Sequence, residues 1–145
     1  MVVNTMPGTR KTARRLLAAD GYLDLRMPLQ ALKELDKIED PGTFEASVYF
    51  LRGMALKQMG DFDHAIPWLE EAARLIPAPL SRFAWKSLEE CYKAQGNETM
   101  ASMMRIVADL DQDGPNAFSF DELRRSIEEL PNSRPLLPDQ SKESE

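Results

Sequence analysis

The strongest constraint on this chain is a long period in its smallest residues. Ala31, Ala65 and Ala101 are spaced by 34 and then 36 residues, and Tyr22, Leu56 and Tyr92 keep the same two spacings. Gly60 and Gly96 are again 36 apart. A period near 34 accommodates two short helices and their turns. A hairpin of that size cannot bury its apolar face alone, so the repeat implies a stack in which each unit covers the next. The two extra residues of the second interval fit in the loop PAPLSR, residues 77–82, where insertion costs little.

Local patterning agrees with helical hairpins. Between residues 10 and 110 apolar side chains recur at three- and four-residue spacing, and β-branched alternation is absent. Helices are predicted over residues 10–25, 29–38, 43–59, 63–75, 81–95 and 98–110. Pro28 suits the first turn of the second. The run EDPG, residues 39–42, ends that helix, Gly60 ends the third, Pro77 and Pro79 end the fourth, and Gly96 ends the fifth. Pro67 restricts the fourth, because proline deep in a helix costs ~3 kcal/mol. The helix is therefore expected to start near Asp63, with that carboxylate as its cap.

Charge is unevenly distributed. The formal net charge is −6. From Asp109 onward there are ten acids and four bases, so residues 1–108 are formally neutral and the acidity belongs to the C-terminal extension. Without an overall basic bias in the body, nucleic acid is not an expected partner. No apolar segment approaches the ~18–20 residues that span a bilayer, so membrane insertion is not expected. The opening stretch MVVNTMPGTRKTARRLL is basic but lacks the apolar block of a secretory signal, and reads as a short flexible segment, 1–9, leading into the first helix. One cysteine, Cys91, excludes an internal disulfide framework and points to a reducing, cytoplasmic setting.

The residues at these spacings give the chain its resemblance. The middle unit carries Tyr49, Gly53, Leu56, Gly60, Asp61, Phe62, Ala65, Ala72 and Pro77, and in these positions it resembles the tetratricopeptide repeat (TPR). The third unit supplies Trp85, Leu88, Tyr92, Gly96, Ala101 and Ala108, but Glu89 replaces the first glycine and no proline closes it. The first has Ala19, Tyr22, Ala31 and Leu35, with Arg26 in place of the turn glycine. The resemblance implies an all-α fold: a right-handed superhelical array of three TPR-like hairpins plus a C-terminal helix. The units would occupy 10–42, 43–77 and 81–110, followed by an acidic turn and capping helix at 111–130 and a disordered tail at 131–145. Gly53 and Ala65 would be small to let the helices of one hairpin approach, and Ala72 to admit the next hairpin.

The resemblance also implies a non-catalytic protein–protein interaction module, adaptor or chaperone-like, that takes a peptide or partner helix in a concave groove lined by first helices. Matched onto this sequence, the groove residues are Phe50, Met54, Lys57 and Gln58, then Phe83, Lys86, Glu90 and Lys93, with Leu16, Asp20 and Leu23 from the first unit. Lys57, Lys86 and Lys93 would form a basic strip beside apolar Phe50 and Met54, suited to a segment with an acidic end, or would simply solvate an exposed face. Leu16, Asp20, Phe50 and Met54 stand where chaperone-binding members clamp a terminal carboxylate, so a chaperone tail is not expected. The alternative is a structural subunit of a larger assembly, docked through the convex face or the array ends.

Other chemistry is sparse. Cys91, His64 and a neighbouring Asp are the residue types of a nucleophile site, but Cys91 falls at a small buried position and reads as inert core. No phosphate loop, dinucleotide motif, CxxC or HExxH occurs, and no cofactor is expected. Asp109, Asp111, Asp113 and Gly114 copy the start of an EF-hand loop, with Glu122 as its bidentate end. Glu122 is the fourteenth residue from Asp109 rather than the twelfth, and Phe120 stands in the twelfth place. A capped helix is the competing reading: Ser119 with Glu122 forms a capping box, ahead of a helix over 121–130 carrying Leu123, Ile127 and Leu130 on one side. That helix would either close the last repeat or fold back into the groove.

Overall fold

The computed structural model describes residues 7–110, which form six α-helices and, among the described residues, no strand. They are α1 (Pro7–Asp24), α2 (Pro28–Asp36), α3 (Glu45–Gln58), α4 (Phe62–Leu75), α5 (Arg82–Ala94) and α6 (Glu98–Leu110), with a 3-10 turn, Gly42–Phe44, leading into α3. Each helix packs on its chain neighbours, and the first helices α1, α3 and α5 also touch in succession. The result is a stack of three hairpins. Residues 7–9, expected to be flexible, belong to α1 instead. Proline in a first turn gives up no intrahelical hydrogen bond, so Pro7 starts the helix without penalty. The expected turn and capping helix at 111–130 and the tail at 131–145 lie outside the described residues.

The three hairpins turn in the same way, atom for atom. Asp61 N–H donates to Leu56 C=O and Gly60 N–H to Lys57 C=O, each at 2.9 Å. Asn97 and Gly96 repeat this onto Tyr92 and Lys93 at 2.9 Å. Met27 and Arg26 repeat it onto Tyr22 and Leu23 at 2.8 and 3.0 Å. This Schellman pairing satisfies helix-end carbonyls and requires a left-handed residue at its centre. Gly60 and Gly96 supply it at φ 80° and 79°, and Arg26, the non-glycine of the set, sits at φ 61°. In each second helix the conserved-spacing alanine then closes the first bond: Ala31 onto Met27, Ala65 onto Asp61 and Ala101 onto Asn97.

Packing explains the small residues. A Cβ added to Gly53 would lie 2.6 Å from Leu69 Cγ and 2.8 Å from its Cδ2, and Leu69 is fully buried on α4. Ala31, Ala65, Ala72, Ala101 and Ala108 are buried at the contacts between helices. Two apolar clusters result. One joins Leu16, Ala19, Leu23, Ala31 and Leu35 to Val48, Leu51 and Ala55 of α3. The other joins α4, α5 and α6 through Leu69, Trp85, Leu88, Cys91, Met104 and Val107. Phe50 and Met54 pack against both clusters and bridge them.

The start of α4 differs from expectation: the helix begins at Phe62, and its cap residue lies two positions before the expected one. Asp61, not Asp63, is the cap residue, and neither carboxylate caps: Asp61 accepts from His64 Nδ1 at 2.9 Å, and Asp63 accepts from Gln95 Nε2 on α5. Pro67 is therefore the sixth residue of α4. The carbonyl it leaves unpaired belongs to exposed Asp63, on a solvent-facing side of the helix, which softens the cost.

Candidate functional site

A cleft of about 700 Å³ opens where the C-terminal ends of the first helices converge. Leu23, Asp24 and Arg26 come from the end of α1 and its turn, Met54, Lys57 and Gln58 from α3, and Glu90 and Ala94 from α5, with Phe62 from the start of α4. The shared hairpin turn causes this convergence: it places the last turn of each first helix at the same level, so residues 34 or 36 apart meet across the stack. Gln58 reinforces it by donating from Nε2 to the Leu23 carbonyl at 2.9 Å.

Of the groove residues expected from the sequence, Met54, Lys57, Gln58, Glu90 and Leu23 meet in this cleft, and the others stand elsewhere. Phe50 is half-buried between the two core clusters. Leu16 is core, Asp20 is exposed on α1, and Phe83 is 59% exposed at the start of α5. Met54 is held by more than its shape, since Ser87 Oγ donates to its sulfur at 3.2 Å. Asp24, Arg26, Phe62 and Ala94 are cleft residues that sequence matching passed over. Arg26 carried a signal, because a long cationic side chain stood where a turn glycine was due.

The three lysines do not form one basic strip. Lys57 Nζ pairs with Glu90 across α3 and α5. Lys86 and Lys93 instead flank Glu89 on their own helix, at 3.9 and 3.6 Å, and Arg105 of α6 approaches the same carboxylate at 3.5 Å. Glu89 is only 7% exposed. A carboxylate that displaces the family's glycine at a helix contact must be neutralised there, and these three cations do it. The cleft itself is balanced, with Asp24 and Glu90 set against Arg26 and Lys57. Its apolar lining is Leu23, Met54, Phe62 and Ala94.

Cys91 and His64 do not share a site. Cys91 is fully buried in the second cluster, and burial pushes its thiol up to about 11, which keeps it protonated and unreactive. His64 is exposed, and the hydrogen bond to Asp61 raises its ring above the ordinary value. Among the described residues no group of three or more His, Cys, Asp and Glu is placed to hold a metal ion. Asp109 lies exposed near the end of α6, and Asp111, Asp113 and Glu122 lie outside the described residues. No described helix is long and apolar enough to cross a membrane.

A family model for the tetratricopeptide repeat matches residues 46–79, which cover α3, α4 and the loop that follows. No curated protein and no solved structure matches the chain. Repeats of this family are generally non-catalytic and serve contacts between proteins. The middle hairpin thus matches a tetratricopeptide repeat, and the hairpins on either side of it are built on the same turn.

Proposed function

We propose that this chain is a non-catalytic interaction module that holds a polypeptide segment in the cleft between α1, α3 and α5. The observation that carries this reading is the cleft's lining. Four apolar side chains from three hairpins surround two cations and two anions, a mixture that suits apolar anchor residues flanked by hydrogen-bonding backbone and charges of both signs. Neither an acidic terminus nor a phosphate is favoured, because Lys57 already has Glu90 and the other two lysines have Glu89. The ligand is therefore a segment within a chain, with apolar side chains for Leu23, Met54 and Phe62. In this reading the protein works as an adaptor or chaperone-like factor in the cytoplasm.

The test is selection from a displayed random-peptide library by the wild-type protein, followed by titration of the selected peptides against Ala94→Arg and Lys57→Glu. Ala94 is exposed and lines the cleft, so its replacement fills the site without disturbing the core. Selected peptides should share an apolar spacing and lose at least tenfold in affinity on Ala94→Arg. Peptides that bind both variants as tightly as wild type would place recognition outside the cleft.

A further inference from the structure

Each first helix ends at the cleft, and a helix end concentrates partial negative charge, because its last carbonyls have no intrahelical partner. Two of the three ends carry a compensating base in the last turn: Lys57 on α3 and, 36 positions on, Lys93 on α5. The last turn of α1 has none. The residue 34 positions before Lys57 is Leu23, and Asp24 follows it, a carboxylate where a helix end favours a cation. Asp20 stands one turn earlier, and like charges four residues apart on a helix repel each other. Neither carboxylate has an ion-pair or hydrogen-bond partner among the described residues. Gln58, whose amide nitrogen holds the Leu23 carbonyl, has a side-chain oxygen that accepts from no described donor. On the facing wall Lys57 and Glu90 neutralise each other. The two walls therefore differ: negative charge on the α1 side is uncompensated, and on the α3–α5 side it is paired.

We propose that the segment held in the cleft carries a lysine or arginine, whose cation docks against Asp24 and the carbonyl end of α1, beside apolar side chains packed on Leu23, Met54 and Phe62. This rests on the cleft being the binding site and names the chemistry it selects. The ligand's cation supplies to α1 the charge that Lys57 and Lys93 supply to the other two first helices. Arg26 does not do so. It follows α1 in the left-handed conformation, and its guanidinium has no carboxylate partner among the described residues. Its N–H groups instead suit the backbone carbonyls of a bound segment. Water is displaced as the segment enters, so the pair between Asp24 and the incoming cation strengthens. A neutral side chain at that place would leave Asp24 covered and unpaired, and an acidic one would face it with like charge, so both are selected against.

Parallel selections from the displayed peptide library, by the wild-type full chain and by Asp24→Lys, test the proposal. Asp24 is exposed and a base suits a helix end, so the variant should keep the wild-type helical signal. Peptides selected by wild type should share a Lys or Arg at a fixed spacing from their apolar residues. Those selected by Asp24→Lys should keep the apolar spacing and carry Asp or Glu at that place. In titrations, Asp24→Asn and replacement of the peptide's base by glutamine should each weaken binding about tenfold. The two together should weaken it little further, which marks a direct pair. Ala94→Arg separates this proposal from the reading beneath it. Peptides that lose affinity on Ala94→Arg but bind Asp24→Asn like wild type would keep the cleft as the site and overturn its selectivity for a base. So would wild-type peptides enriched in acids beside their apolar residues, which would assign selection to Arg26. Peptides that bind Ala94→Arg like wild type, or a library that yields none, would overturn both.

Discussion

Arg26 holds the backbone conformation that its two counterparts give to glycine, and the cost is local. A left-handed L-residue is disfavoured by ~1–2 kcal/mol, which glycine avoids at the price of a more flexible unfolded chain. Arg26→Gly should therefore raise stability by about 0.5–1 kcal/mol, read as a higher urea midpoint with an unchanged slope. Two of the glycines inside helices, Gly53 and Gly21, should respond to alanine with opposite signs. At Gly53 the new methyl meets buried Leu69 at 2.6 Å, so Gly53→Ala should cost ~1–3 kcal/mol despite alanine's better helix propensity. At Gly21 the space is open and φ is helical, so Gly21→Ala should gain up to ~1 kcal/mol. Equal effects at both sites would mean that propensity, not close approach, decides these positions.

At the scale of the element, what could be read from the sequence depended on side-chain length. Gly53, Ala65 and Ala101 were legible because contact between backbones admits only small residues, whatever the neighbours do. Lys57, Lys86 and Lys93 were placed on the right helices, but their partners were not foreseen. A lysine chooses among carboxylates within its reach, and the Lys57–Glu90 pair spans two hairpins. The Glu89 cluster did leave a trace, since Lys86 and Lys93 stand three and four residues from it. Hairpin one has a similar device. Glu34 of α2 accepts from Lys37 at 3.1 Å and from Arg15 of α1 at 3.3 Å, and these hydrogen bonds, Lys37's foremost, hold its carboxyl below the ordinary 4.5 although burial pushes the other way. A lowered folded value stabilises above the unfolded value and is lost as pH falls through the folded one. Glu34→Gln should thus cost about 1 kcal/mol or less near neutrality, and the gap from wild type should close below pH 4.5. A gap that persists in acid would show that the ion pairs contribute nothing and that the amide merely packs worse.

Over the whole molecule, the long period foretold the stack, while the way the stack divides was set by which bulky residues interleave. The clusters are unequal: one rests on α1, α2 and part of α3, the other on α4, α5 and α6, and Phe50 and Met54 belong to both. In a linear array each unit is stabilised by itself and by its neighbours, so a terminal unit loses support from one side and an inner one from two. Leu35 and Leu69 are both essentially fully buried, at 1% and 0%, and truncating either to alanine should remove ~2–5 kcal/mol from its own cluster. The consequences should differ in extent. Leu35→Ala strikes the terminal hairpin, so α1 and α2 should open first. Their amides should then exchange faster by several orders of magnitude, while α5 and α6 keep most of their protection. Leu69→Ala strikes α4, which touches both α3 and α5, and should accelerate exchange in all four helices of the second and third hairpins together. Amide exchange followed helix by helix separates these outcomes. If Leu35→Ala also raised exchange uniformly through α6, Phe50 and Met54 would couple the clusters tightly enough for the array to unfold as a single unit.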